Sequence, residues 1–124
     1  VSRDRGNRAA GWVAAYLREW FPDAEKTPNS RPGRDIENTL GMAIEVKTSS
    51  EWRPNAWMKQ AAGYVLDGEL GVLIYLPPGM GETRVAEAMA IVPLRVLMPL
   101  AVAAGHAPAP PDRSQEIPWL WASS

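Results

Sequence analysis

The chain reads as an α/β fold, a mixed central sheet with helices packed on it. Three observations predict this. Residues 9–21 carry apolar side chains at helical spacing. In residues 42–47, Met42, Ile44 and Val46 alternate with Ala43, Glu45 and Lys47. Residues 71–76, Gly-Val-Leu-Ile-Tyr-Leu, form a continuous apolar run, as a central strand buried on both faces requires. Helical patterns before, between and after such strands give a sheet covered by helices.

The elements follow in order. The first four residues, polar apart from Val1, are expected to fray. Trp12, Val13, Tyr16, Leu17, Trp20 and Phe21 make the apolar stripe of a first helix, with Asn7 as its N-cap and Pro22 as its stop. Residues 22–34 are rich in Pro, Asn, Ser, Gly and charge, which predicts a loop. Asp35–Glu37 and Met42–Lys47 then form a hairpin around Asn38-Thr39-Leu40-Gly41. Pro54 opens a second helix to about Asp67, buried through Trp57, Ala61, Tyr64 and Val65. After the strand at 71–76, Pro77-Pro78-Gly79 turns the chain, and Arg84–Ile91 reads as a further strand. Pro93 opens a third helix to about Ala104, and Met89 and that helix read as core. From Gly105 the chain is a Pro-rich linker ending in Ile117-Pro118-Trp119-Leu120-Trp121. Trp119 and Trp121 fit either their own domain or a partner subunit.

Composition narrows the function. A chain of 124 residues makes one domain large enough to bury a core. It has no Cys and one His, so disulfide scaffolds, thiolate zinc sites, Cys nucleophiles and His-rich centres are excluded. A net charge of −1 excludes a uniformly basic nucleic-acid coat. No stretch reads as a signal peptide or membrane span, which predicts a soluble cytoplasmic protein without membrane contact. His106, beside the linker, reads as a solvated loop residue.

The chemistry concentrates around Asp35 and Glu45-Val46-Lys47. Glu45 and Lys47, two apart on a strand, share a face, while Val46 points to the core. A hairpin centred on Leu40 sets Asp35 opposite Glu45. Opposed carboxylates repel across a sheet unless a cation sits between them. Carboxylates, a backbone carbonyl and waters are what Mg²⁺ prefers, and an adjacent ammonium stabilises charge on a substrate oxygen. Glu-x-Lys alone also fits a solvated surface pair.

Gly33-Arg34-Asp35-Ile36 followed by Ala43-Ile44-Glu45-Val46-Lys47 resembles the core of the PD-(D/E)XK nucleases, the fold of many restriction endonucleases and Holliday-junction resolvases. Arg5-Gly6-Asn7-Arg8-Ala9-Ala10 is similar to the first helix of archaeal-type and phage resolvases. The resemblance spans roughly residues 5–104. It implies a restriction-endonuclease-like mixed sheet, with a nuclease domain over 1–104 and the linker and tail over 105–124. It further implies Mg²⁺ or Mn²⁺ held by Asp35, Glu45 and the Val46 carbonyl. Lys47 would orient the attacking water and stabilise the pentavalent phosphate, with Gln60 in support. The implied activity is cleavage of four-way DNA junctions by a homodimer, in the host cytoplasm if phage-encoded. Gln60 and Tyr64 also match the Gln-x-x-x-Tyr spacing of RecB-like and lambda-exonuclease-like enzymes, which act on DNA ends; Tyr64 equally fits the core.

One position departs from the pattern. Archaeal-type resolvases carry a metal-binding Glu in the first helix, where this chain has Ala10. Glu19 lies too far along the helix to replace it. One metal then suffices, or Glu37 or Glu51 contributes, or activity is weakened, the limit being a non-catalytic DNA-binding relative.

Basic charge gathers in the motif-bearing half. Residues 1–53 hold nine basic and eight acidic side chains. Setting aside Asp35 and Glu45 leaves that half at about +3. Arg3, Arg5 and Arg8, with Arg31 and Arg34 beside Asp35, are the candidate phosphate contacts. Each alone also fits a solvated surface residue.

Overall fold

The computed structural model describes residues 2–28 and 33–110, with side chains from residue 5 onward. The elements are α1 (Ser2–Leu17), β1 (Glu25–Lys26), β2 (Ile36–Glu37), β3 (Met42–Lys47), α2 (Pro54–Ala62), β4 (Leu70–Tyr75), a 3₁₀ helix (Glu82–Glu87), β5 (Met89–Ile91) and α3 (Leu94–Ala103). The result is a mixed α/β arrangement with helices flanking a three-stranded sheet.

The uniformly apolar run is the middle strand. The sheet order is β3-β4-β5, with β4 parallel to β3 and antiparallel to β5. Parallel pairing needs a long crossover, which α2 supplies. Along β3 and β4 alternate residues serve opposite faces. Ile44, Val46 and Val72 pack with Ala9, Ala10, Val13 and Ala14 of α1. Leu73 and Tyr75 pack with Trp57 of α2 on the other face. Val96 of α3 closes against Ala61.

Several expectations are corrected. The first helix begins before Asn7 and ends at Leu17. Its buried stripe is rotated onto alanines, leaving Tyr16 and Trp20 exposed. Small side chains let the helix lie close to the sheet. Phe21 precedes Pro22 and disfavours helical geometry. The chain therefore turns early, with the Trp20 and Phe21 amides donating to the Leu17 carbonyl at 3.0 and 2.9 Å. The 22–34 loop contains a short strand, β1, which pairs with β2.

The second helix stops at Ala62, because Gly63 holds helical geometry weakly. Tyr64 falls beyond the helix and is exposed rather than core. Half of the expected strand over 84–91, residues 84–87, is 3₁₀ helix. Val85 and Ala88, three apart, both face the α1 core, which suits three residues per turn. Only Met89–Ile91 is strand. Met89, Leu94, Leu97 and Met98 are exposed, not core; Val96 alone of α3 is fully buried. Trp119 and Trp121 lie outside the described residues. Among the described residues no helix is long and apolar enough to cross a membrane.

Candidate active site

The turn before β3 explains how the acids meet. The Met42 amide donates to the Thr39 carbonyl at 2.8 Å, and Gly41 sits at φ +95°, a conformation that glycine adopts freely. The chain thus reverses between β2 and β3. The expected continuous hairpin ladder does not form, because β2 hydrogen-bonds to β1 instead. Asp35 is where the chain bends between them. Its amide donates to the Ile44 carbonyl at 3.1 Å, while its carbonyl accepts from the Thr27 amide at 2.8 Å.

Asp35 then replaces a missing strand residue. Its Oδ2 accepts the Val46 amide proton at 2.8 Å. In a strand, the N–H and C=O of one residue point to the same side. The Val46 carbonyl therefore faces the Asp35 edge, away from β4. Asp35 flanks Glu45 through both neighbours, Ile44 and Val46, rather than as a ladder pair.

Glu45 is not a surface residue. It is 3 % exposed, opposite Leu73 in the β3–β4 register and on the α2 face. Lys47 Nζ lies 3.6 Å from its Oε2. Its Oε1 is buried with no hydrogen-bond partner. A buried carboxylate oxygen without a donor is costly. Burial, reinforced by the charge of Asp35 and opposed by Lys47, pushes the Glu45 carboxyl up to about 7. Burial also raises Asp35, against the Val46 amide and Lys47.

These donors fit a hard cation. Among the described residues no three His, Cys, Asp or Glu converge. Mg²⁺, however, is commonly held by one or two carboxylates and keeps several waters. Asp35, Glu45 and the Val46 carbonyl are oxygen donors on two adjacent segments, joined by the Val46 amide on Asp35 Oδ2. The orphaned Glu45 Oε1 is the atom that a cation would satisfy.

The other candidates are distributed more widely. Ala10 is packed in the α1 core. Glu51 forms an exposed pair with Arg53 at 2.7 Å, and Glu37 lies in β2 opposite Glu25. Gln60 is on the exposed side of α2, and no hydrogen bond joins it to Asp35, Glu45 or Lys47 among the described residues. Arg8 is exposed and Arg5 half-buried on α1; Arg3 lies in the same helix. Arg31 is outside the described residues.

Arg34 has a different task from the one expected. Nη1 and Nη2 donate to the two Glu69 carboxylate oxygens at 2.7 Å each, and Nη2 also donates to the Tyr64 carbonyl at 2.7 Å. The fork is thus filled by Glu69, tying the approach to β2 to the start of β4. The guanidinium holds the Glu69 carboxyl below its ordinary value. Glu69 was not singled out from sequence; its only signal was a charge directly before a buried strand. A groove of about 500 Å³ lies beside this clamp, between Trp20 and Leu40, and the acid pair does not line it.

Comparison with family models, curated proteins and solved structures finds no match to this chain.

Proposed function

We propose that this chain is a Mg²⁺- or Mn²⁺-dependent endodeoxyribonuclease of the PD-(D/E)XK type, acting on four-way DNA junctions as a homodimer. The observation that carries the reading is the buried, unpartnered Glu45 Oε1 beside Asp35, with Lys47 3.6 Å from the other oxygen. A solvated surface pair would not bury its carboxylate. Three strands lie between α1 and α2, and β4 follows α2 in parallel pairing with β3.

The bound cation would supply positive charge to a substrate phosphate and to the attacking water. Asp35 is oriented for this by the Val46 amide. Glu45 carries negative charge only once its raised affinity for a proton is overcome, so deprotonation and cation binding are coupled. Lys47 brings an ammonium to the same face, where it stabilises charge on the phosphoryl oxygens. The water oxygen bonds to phosphorus, the P–O3′ bond breaks, and the leaving oxygen takes a proton. The products are a 5′-phosphate and a 3′-hydroxyl. Two strands are cut by two copies of the site.

The test is cleavage of a synthetic four-way junction with and without Mg²⁺. Cutting by wild type and not by Lys47→Ala is expected. Equal cutting by both would remove Lys47 from the site. One observation favours a second reading: Ala10 is core, so α1 offers no acid there. A non-catalytic DNA-binding relative would bind the junction without cutting it and would take up no Mn²⁺ in calorimetry.

A further inference from the structure

We propose that Trp52 is a stacking platform for an unpaired nucleobase beside the Glu45–Lys47 face. This rests on the nucleic-acid reading above and adds the form of the substrate, a strand with a base free of its duplex.

The position follows from the sheet. Lys47 ends β3, and its neighbour across the parallel ladder is Tyr75. Partners in a parallel ladder project from the same face. The Trp52 ring lies on Tyr75, with centroids 4.9 Å apart at 65°, and on Trp57, 5.5 Å apart at 87°. Trp57 and Tyr75 are themselves stacked at 5.5 Å and 28°, and both are buried. The Tyr75 hydroxyl donates to the Ser49 carbonyl at 2.7 Å, which pins the loop that carries Trp52.

Despite these contacts Trp52 remains 52 % exposed. A large ring held by two buried rings, with half its surface in water, is a preorganised aromatic surface. Its sequence neighbours Glu51 and Arg53 pair with each other at 2.7 Å, so they cancel in charge. What the site offers is therefore an exposed indole packed on Tyr75, the ladder neighbour of Lys47. Nucleobases bind such faces with little regard to sequence. A base inside a duplex is already stacked and must leave the helix first. The platform thus selects single strands or the open centre of a branch.

Binding in EDTA separates this from cleavage. Anisotropy of a fluorescein-labelled oligothymidylate, a duplex and a junction would be read for wild type, Trp52→Phe and Trp52→Leu. Wild type should prefer the single strand or junction to the duplex. Leucine should weaken that binding about tenfold, and phenylalanine should retain most of it. Equal loss in both variants, or wild type preferring the duplex, would overturn the proposal. Photocrosslinking of a 5-bromouracil oligomer to wild type, mapped by mass spectrometry, decides the matter even if a variant unfolds. A crosslink at Trp52 is expected; crosslinks only elsewhere would overturn it. Wild type that crosslinks at Trp52 yet leaves junctions uncut with Mg²⁺ would remove the nuclease reading alone. Wild type that cuts junctions without touching Trp52 would remove this one alone.

Discussion

The Asp35 carboxylate accepts the amide proton of Val46 at 2.8 Å, the hydrogen bond that a continuing β2 backbone would have provided. One side chain thereby ends a ladder and sets a charge beside Glu45. Asp35→Asn keeps an acceptor for Val46 and removes the charge. It should melt close to wild type while binding Mn²⁺ at least about tenfold more weakly in calorimetry. Asp35→Ala also strands the amide and should cost about 1–3 kcal/mol in denaturant unfolding.

Glu45 predicts a pH dependence with a definite sign. Between its ordinary value of 4.5 and the folded value of about 7, the folded chain keeps a proton that the unfolded chain releases. Stability of the metal-free protein should therefore fall as pH rises through that window, then level off. The slope is at most ~1.4 kcal/mol per pH unit from this group. Asp35, also raised, adds to the loss above its own ordinary value of 3.8. Melting should drop by several degrees from pH 5 to pH 8, and Glu45→Gln should flatten the profile. Mg²⁺ added at pH 8 should raise melting of wild type but not of Glu45→Gln. A flat wild-type profile would mean that Glu45 is solvated.

Lys47 is half-buried, with its ammonium near Glu45. Its charge lowers the proton affinity of both acids. Lys47→Met should abolish junction cleavage, by about 100-fold or more, and shift the melting profile toward higher pH sensitivity. Cleavage lost with an unchanged profile would place Lys47 against substrate alone.

The Arg34–Glu69 clamp spans 35 positions of sequence. Bidentate pairs of this kind depend on the planar fork. Glu69→Gln should destabilise the protein by about 1–3 kcal/mol, since it leaves the guanidinium half satisfied. Arg34→Lys should lose a similar amount. Urea melts of both variants and the double variant check this; additive losses would show that the pair is uncoupled.

Much of the frame is legible from local pattern. The apolar run of β4, the alternation of β3 and the prolines opening α2 and α3 each reflect the stiffness and periodicity of a few adjacent residues. Glu45 and Lys47 could be singled out for the same reason: their spacing on β3 puts them on one face, whereas Asp35 was placed by a hairpin that does not form and by the resemblance. The tertiary structure decided the rest. It buried Glu45, opposite Leu73 of β4 and on the α2 face, and that burial, more than the neighbouring Asp35 charge, raises its proton affinity. It turned α1 onto its alanines, gave β2 to β1, and committed Arg34 to Glu69. It also assembled Trp52, Trp57 and Tyr75 into one cluster from a loop, a helix and a strand. Those outcomes depend on which distant segments come into contact, and the energies of burial and pairing that choose among them are not written in any short stretch of chain.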